Sequence, residues 1–266
     1  MVQKMLTVFG NRVIGVAFDF FSYTGRLTLL FGQTIWCILS TPLNMYRFLS
    51  QARRVGPGSF LISSLVAFFI GMIIALQMAY MMVRLSAEIY IPNVIAVSLM
   101  REMGPVLTAL IVAGRVGAGI TAEIGAMIVT EQVDALRAFA VDPVRYLVVP
   151  RFLALALMLP ILTLFAVLVG ICGGFLICAF KLSINPHTYW SMVFDSLALK
   201  DIITGLLKPF FFGMIIAIVG CFEGLNVRGG ADGVGQATTL SVVRSFIFII
   251  MFDCVFTFIF YFLFNA

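Results

Sequence analysis

The chain has 266 residues, of which 62% are hydrophobic and 11% are charged, and its mean hydropathy is +1.12. A soluble domain carries about 25% charged residues, so the composition excludes an ordinary soluble protein and indicates an integral membrane protein. The net charge of +5 does not indicate nucleic-acid binding, because the basic residues are scattered beside apolar runs.

Residues 1–50 form an apolar segment that charged side chains interrupt every few positions. Its longest uncharged stretch, residues 27–46, has 20 residues, about the length of one crossing, and we interpret the whole segment as too interrupted by charge to cross a bilayer. The interleaved charges also differ from a secretory signal, in which one basic end precedes one apolar core. We predict one or two amphipathic helices that lie along the membrane surface.

Residues 51–266 contain five longer apolar stretches, which predict five transmembrane helices. The predicted spans are about 55–83, 93–126, 152–180, 202–222 and 241–264. The second is too long for one straight crossing and contains Gly104-Pro105, so we expect a kink or a break near Pro105. The run of small residues at 113–119 predicts close packing between helices.

The connections between the spans differ in character. Residues 130–143 have the spacing of a short amphipathic helix, with Thr130 as its cap and Asp142-Pro143 as its end. Such a helix is either a solvated loop element or a contact for a soluble motor. Residues 181–201 predict a loop, and the glycines of 223–235 predict a flexible turn, since they lack the lysine of a phosphate-binding loop.

The distribution of basic residues predicts the orientation of the chain in the membrane. If the five spans alternate, ten lysines and arginines fall on one side and three on the other. The larger set, with the N-terminus and the 130–143 helix, is then cytoplasmic, and the C-terminus lies on the far side. The two sets are Lys4, Arg12, Arg26, Arg47, Arg53, Arg54, Arg137, Arg145, Arg151 and Arg228, against Arg84, Lys181 and Lys200.

The chemistry available in this sequence does not favour an enzyme. Neither a metalloprotease nor a nucleophile-elbow motif occurs. The single histidine, His187, is in a polar segment, and the five cysteines form no C-x-x-C pair. We therefore expect no metal site or disulfide scaffold, and we expect the cysteines to be small buried hydrophobic residues.

Ionisable side chains within the predicted spans are the strongest functional signal. Arg101 and Glu102 lie on the second span, Lys208 on the fourth and Asp253 on the fifth. A charge at the bilayer centre costs about 2.5–3.5 kcal/mol on insertion scales, so such residues usually have a role. Adjacent helical residues point in different directions, so we expect Arg101 and Glu102 to have partners on other helices.

Three interpretations of these charges remain open. They can form a packing network within a membrane scaffold, or they can line a cavity that accepts a substrate headgroup. In the third interpretation the chain is an ion- or proton-coupled secondary transporter, in which Glu102 and Asp253 carry the proton.

Four segments of the sequence form one recognisable pattern: residues 98–110 (SLMREMGPVLTAL), 113–125 (AGRVGAGITAEIG), 130–136 (TEQVDAL) and 141–153 (VDPVRYLVVPRFL). Together they closely resemble the MlaE family of ABC transporter permeases. The resemblance implies an all-α inner-membrane protein with an N-terminal interfacial helix, five transmembrane helices and a cytoplasmic coupling helix at about 130–142. Proteins of this family move phospholipids or related lipids between membranes.

The resemblance also implies the partners of the chain. They are a second copy of the permease, cytoplasmic ABC ATPase subunits and a periplasmic MCE-domain lipid-binding protein. Some systems add a STAS-domain subunit. ATP would be bound by the ATPase, so no cofactor is expected on this chain.

Site residues are implied by position within the family pattern. The lipid pocket would involve Arg101, Glu102 and Met103, followed by Leu76, Tyr80 and Val83, with Lys208 and Asp253 as charged neighbours. Family members can carry a basic residue in the 237–239 stretch, whereas here Arg244 follows about one turn later. The contact with the ATPase would involve Glu123, Glu131, Asp134, Leu136, Arg137, Asp142 and Arg145.

Overall fold

A computed structural model describes the backbone of residues 2–40 and 44–265 and the side chains of residues 21–40 and 44–262. Within these ranges the chain is helical and contains no strand, which confirms the all-α class. Its α-helices are, in order, α1 Val2–Ser40, α2 Met45–Met82, α3 Ile91–Ser98, α4 Gly104–Val112, α5 Ala118–Val129, α6 Gln132–Ala138, α7 Val149–Lys181, α8 Pro186–Ser196, α9 Leu199–Leu225 and α10 Gly230–Asn265.

Among the described residues, five helical stretches are long and apolar enough to cross a membrane, as the sequence predicted. They are Met45–Leu85, Glu88–Val129, Val144–Lys181, Leu199–Leu225 and Gly230–Phe262. Several of these helices extend beyond the predicted spans. The prediction of a flexible turn at 223–235 is wrong, because α9 continues to Leu225 and α10 already begins at Gly230. Gly229 and Gly230 have φ of 90° and 70°, a conformation that favours glycine and permits this tight reversal.

The second stretch does not break at Pro105. It runs through α3, α4 and α5, which are joined by π-helical turns at Leu99–Met103 and Ala113–Gly117. The first of these turns ends immediately before Gly104-Pro105, so a change of helix type takes the place of a break. A third π-helical turn, Val144–Val148, leads into α7.

α1 is a single helix that packs against α9 and the π-helical turn before α7. Leu27, Leu30 and Thr34 are buried against the bundle, whereas Trp36 and Leu39 are exposed. α1 therefore has one face toward the protein. Its position on the membrane surface stays a prediction.

The helix pair with the most extensive contact is α2 with α7. A Cβ atom at Gly71 of α2 would clash with the carbonyl oxygen of Gly170, and one at Gly173 of α7 would clash with that of Phe68. Glycine is required at these contacts because the backbones themselves touch. In the predicted small-residue run, Gly117 packs against Ile216 of α9, but a Cβ atom added at Gly119 would meet no atom within 4 Å. The packing prediction for the run therefore holds only in part.

The predicted loop 181–201 contains a helix, α8, which the sequence interpretation missed. Asn185 caps it, since its side-chain oxygen accepts a hydrogen bond from the His187 amide at 2.9 Å. Tyr189 anchors it to α7 by donating a hydrogen bond of 2.8 Å to the carbonyl of Ile171. Burial raises the pKa of Tyr189, so this hydroxyl stays protonated and keeps its donor role.

The amphipathic helix predicted at 130–143 is shorter than expected, because α6 covers only Gln132–Ala138. The predicted cap is wrong: the Thr130 hydroxyl donates to the carbonyl of Ala126 at 2.8 Å, and Glu131 begins the helix with φ of 57°. Asp142 does not end α6. Its Oδ1 accepts from the Val144 amide at 2.9 Å, which caps the following helical turn instead.

The expectation for the cysteines holds for two of the five. Cys178 and Cys221 are buried, whereas Cys172 and Cys254 are exposed and Cys37 is half-buried. The exposed thiols lie on helices that cross the apolar region. Apolar surroundings outside the protein accommodate them as well as a protein core would.

Candidate functional site

The charged pair of the second span lies on the π-helical turn Leu99–Met103. Its closing amide, that of Gly104, donates to the carbonyl of Leu99, five residues earlier. A π-helical turn widens the helix by one residue and is frequent at functional sites. Here it directs the side chains of Arg101 and Glu102 toward different partners on the neighbouring helices α9 and α10.

Lys208 of α9 is the centre of the first set of contacts. Its ammonium nitrogen lies 2.7 Å from Oε2 of Glu102 and 3.0 Å from Oδ1 of Asp253 on α10. It also donates to the hydroxyl of Thr257 at 2.8 Å, and that hydroxyl donates to Oε1 of Glu102 at 3.0 Å. Only 2% of the Lys208 side chain is exposed, so the two carboxylates compensate a cation removed from solvent.

Arg101 pairs with a different acid. Its Nε lies 2.7 Å from Oδ1 of Asp201, at the start of α9. The Asp201 side chain is almost fully buried, and its other oxygen accepts from the Ala198 amide at 3.1 Å. The side chain of Arg101 is 47% exposed, so it is held in place on one edge and accessible on another.

These groups surround one cavity with a volume of about 130 Å³. Its wall combines charged groups with aromatic and hydroxyl side chains. A surface of this kind can receive a phosphate on the guanidinium of Arg101 and can hold a cation or a hydroxyl near Glu102. The lining residues are Arg101, Glu102, Lys200, Asp201, Thr204, Lys208, Thr257, Phe260 and Tyr261.

The structure brings together some of the predicted pocket residues and not others. The prediction that Arg101 and Glu102 have partners on other helices is confirmed, and so is the contact of Glu102 with Lys208. Met103 is exposed beside the π-helical turn but does not line the cavity. Three residues of the predicted pocket, Leu76, Tyr80 and Val83, lie exposed on or just after α2, outside the cavity.

The sequence interpretation did not assign Asp201 and Thr257 to the site. Both could have been found from helical spacing. Asp201, Thr204 and Lys208 recur every three to four residues on α9, and Thr257 follows Asp253 by four residues on α10. Residues at these spacings share one face of a helix. The spacing from Lys208 therefore predicts Asp201 as a residue of the same face, and the spacing from Asp253 predicts Thr257.

At the opposite end of the bundle, Glu123 of α5 joins three helices. Its carboxylate lies 3.0 Å from Nη1 of Arg54 on α2 and 3.2 Å from Nη2 of Arg151 on α7. Arg151 is buried and also donates to the carbonyl of Leu147 at 2.8 Å. Glu123 therefore fixes the base of α5, directly before α6.

The other residues predicted to contact the ATPase lie on or near α6. Most of their side chains are exposed, and Asp134 pairs with Arg137 at 2.9 Å across one helical turn. This exposed pair adds little to stability and leaves both groups available to a partner. The set comprises Glu131, Asp134, Leu136, Arg137, Asp142 and Arg145.

Arg244 belongs to a separate cluster. Its Nη1 lies 2.5 Å from Oε1 of Glu223 on α9, and its guanidinium lies 4.2 Å from the ring centre of Tyr23. The Tyr23 hydroxyl donates to the same carboxylate oxygen at 2.6 Å. Burial raises the pKa of Tyr23, and the bond to Glu223 raises it further, so the donor is retained. This cluster holds α1 to α9 and α10.

The fold and the cavity define a multi-pass membrane protein with an ionic site inside its helix bundle. Residues 48–259 match the family model described as Permease MlaE. A probable ABC transporter permease protein of Synechocystis is 45% identical over 216 residues, which cover 81% of this chain and 82% of the relative. The intermembrane phospholipid transport system permease protein MlaE of Haemophilus influenzae is 34% identical over 262 residues, with 97% of each chain covered.

A more distant organism provides a further relative. The chloroplastic protein TRIGALACTOSYLDIACYLGLYCEROL 1 of Arabidopsis thaliana is 36% identical over 227 residues, which cover 85% of this chain and 65% of the relative. The chain belongs to the MlaE permease family.

Proposed function

We propose that the chain is the permease subunit of an ATP-binding-cassette transporter that moves phospholipids or related lipids. The transfer would connect the inner membrane with a periplasmic MCE-domain protein. The observation that carries the proposal is the ionic cavity around Arg101 and Lys208 within an otherwise apolar bundle. The name of the Haemophilus influenzae relative, an intermembrane phospholipid transport permease, supports the lipid as substrate.

The size of the cavity supports a homodimer. Pockets for drug-sized ligands have volumes of about 300–1,000 Å³, and a phospholipid is larger still. The cavity of one chain measures about 130 Å³, enough for part of a headgroup. A second copy would supply the remaining wall, and the exposed side chains of Met103, Leu76, Tyr80 and Val83 would then contact acyl chains.

The exposed helix α6 supports contact with a separate ATPase. A movement of the ATPase would reach α5 through the short connection at Thr130 and Glu131. Because Glu123 ties α5 to Arg54 and Arg151, the movement would pass to α2 and α7 together. In this proposal ATP is bound and hydrolysed by the partner, and the permease supplies no catalytic group.

The orientation follows from the basic residues, with the N-terminus and α6 in the cytoplasm and the C-terminus in the periplasm. The cavity at Arg101 then lies toward the periplasmic end, where an MCE-domain protein would dock. In systems that add a STAS-domain subunit, that subunit would bind on the cytoplasmic side.

The experiment that tests the proposal is lipid transfer by the reconstituted complex. We expect transfer to require ATP and to fall in an Arg101→Gln variant, while a Lys181→Gln variant transfers lipid normally. Transfer that followed a pH gradient without ATP would instead support the secondary transporter that uses Glu102 and Asp253. Variants that keep full transfer without Arg101 and Glu102 would support a scaffold.

A further inference from the structure

A second cavity lies at the α6 end of the bundle, opposite the ionic cavity at Arg101. It has a volume of about 600 Å³ and lies between the start of α2 and the connection from α6 to α7. Asn44, Arg47 and Phe48 line it from one side, and Arg145 and Tyr146 line it from the other.

The polar end of this cavity carries two arginines. The guanidinium of Arg47 stacks on the ring of Tyr146, 3.5 Å from its centre, which fixes the cation at the wall. Arg145 is exposed on the same π-helical turn as Tyr146. Among the side chains that the structure describes, the ion pairs involve neither arginine.

One carboxylate also lines the cavity, that of Asp142. Both of its oxygens already accept hydrogen bonds: Oδ1 from the Val144 amide at 2.9 Å, and Oδ2 from the Cys37 thiol at 3.5 Å. The two arginines therefore outnumber an acid whose hydrogen-bonding capacity is partly used. The net positive charge of these lining residues favours the binding of an anion in the cavity.

The residues of α7 that line the cavity are apolar. Val149, Leu153 and Leu157 of α7 line it at intervals of four residues, which places them on one face of the helix. At 1.5 Å per residue, this strip extends about 12 Å from Val149 into the membrane-spanning part of α7. Leu157, at the deep end, is 48% exposed.

We propose that this cavity binds a phospholipid with an anionic headgroup in the leaflet on the α6 side. Arg47 and Arg145 would hold the phosphate at the membrane boundary, and the strip from Val149 to Leu157 would hold an acyl chain. A protein partner in the aqueous phase can reach the arginines but not the deep end of the strip. The site goes beyond the transport function proposed above, because binding here requires neither ATP nor the cavity at Arg101.

The test uses the intact permease complex in phosphatidylcholine vesicles without ATP. A photoreactive benzoylphenylalanine replaces Leu157, and crosslinking is measured to labelled phosphatidylglycerol or labelled phosphatidylcholine. We expect preferential crosslinking to phosphatidylglycerol. In an Arg47→Gln/Arg145→Gln variant, crosslinking to phosphatidylglycerol should fall by roughly fivefold, since charge-assisted bonds to the anionic headgroup are removed. An Arg47→Lys/Arg145→Lys variant should retain most of the preference.

Two matched controls separate the site from general lipid contact. Arg53→Gln removes an exposed cation from the same helix without touching the cavity, and should leave crosslinking unchanged. Benzoylphenylalanine at Leu168, which is 50% exposed farther along α7, should crosslink both lipids equally in every variant. Melting temperatures and copurified ATPase would verify that each variant is folded and assembled.

Three results would overturn the proposal. The first is equal crosslinking of the two lipids at position 157. The second comes from adding a competitor to the crosslinking reaction. If inorganic phosphate alone reduces crosslinking as strongly as unlabelled phosphatidylglycerol does, the site binds a free anion. The third is unchanged crosslinking in an arginine variant that has lost its ATPase, which would assign the arginines to the partner. Because no transport is measured, a failure of the transport proposal would leave these outcomes unaffected.

Discussion

The ammonium nitrogen of Lys208 lies 2.7 Å from a carboxylate oxygen of Glu102, although 106 positions separate the two residues in the chain. The contact joins the π-helical turn of the second crossing to the middle of α9. Lys208 is buried, whereas 40% of the Glu102 side chain is exposed, so the pair has one fixed member and one that a ligand can reach.

Replacement of Lys208 by methionine should destabilise the complex. It leaves Glu102 and Asp253 close together without their shared cation, and loss of one partner from a buried ion pair costs about 3–5 kcal/mol. The exposure of Glu102 reduces this cost. We expect a lower melting temperature in a thermal unfolding assay, with partial recovery when Glu102→Gln is added. If the Lys208→Met variant alone is as stable as the original protein, the pair has no structural role.

Asp201→Asn should change lipid binding more than stability. Asparagine keeps an oxygen for the Ala198 amide, so the start of α9 is preserved, but Arg101 loses its counter-charge. We expect mass spectrometry of copurified lipids to reveal an altered headgroup composition, because the freed guanidinium can bind phosphate more strongly. Asp195→Asn, on the exposed face of α8, is the matched control.

Glu123→Gln should uncouple ATP hydrolysis from lipid transfer. The change leaves Arg54 and the buried Arg151 without a carboxylate, and so weakens the connection of α5 to α2 and α7. We expect transfer to fall by roughly tenfold, in line with the 1.5–3 kcal/mol typical of a hydrogen bond to a charged group. ATP hydrolysis should continue. Equal losses of both activities would indicate failed assembly instead.

Gly71→Val should prevent close packing of α2 on α7. The added side chain would meet the backbone of Gly170, which cannot move without displacing α7. We expect loss of folded protein in a membrane-extraction assay. The control is Gly235→Val, because no atom lies within 4 Å of the added Cβ there. This variant should give nearly the original yield of folded protein. Comparable yields for the two variants would contradict the packing.

The thiol of Cys37 should react slowly with maleimide near neutral pH. Burial raises its pKa, and the hydrogen bond to Asp142 raises it further, so the reactive thiolate is scarce until the pH exceeds the ordinary range for cysteine. In a background without the other four cysteines, Asp142→Asn should accelerate labelling. The increase should be partial, because burial remains.

The sequence predicted the crossings well because each depends on local composition. Long apolar stretches identify membrane helices even where a few charged residues interrupt them, and all five were found. The helix α8 was missed because its anchor, the hydrogen bond from Tyr189 to Ile171, is a tertiary contact. The glycine segment after α9 was misjudged because glycines suggest a turn, whereas α10 already begins at Gly230 and its Val234 lies against Gly125 of α5.

Within the site, the sequence identified the charged residues but only part of their pairing. Glu102, Lys208 and Asp253 were expected as neighbours and are in contact. Arg101 instead binds Asp201, which the predicted loop had placed outside the bundle. Helical spacing could have suggested this partner, but the exact start of α9 depends on the hydrogen bond between Ala198 and Asp201.

The π-helical turn at Leu99–Met103 holds one residue more than an ordinary α-helical turn, because its closing hydrogen bond spans five residues instead of four. Deletion of one residue there would restore ordinary α-helical geometry with little change in length or hydropathy. Because the wider turn already accommodates the extra residue, α3 on one side and α4 and α5 on the other would keep nearly the same faces toward their neighbours. The side chains within the turn would change direction instead, so two sequences with the same hydropathy profile can differ in whether Arg101 and Glu102 both reach their partners. Only the count of residues in this turn would distinguish them.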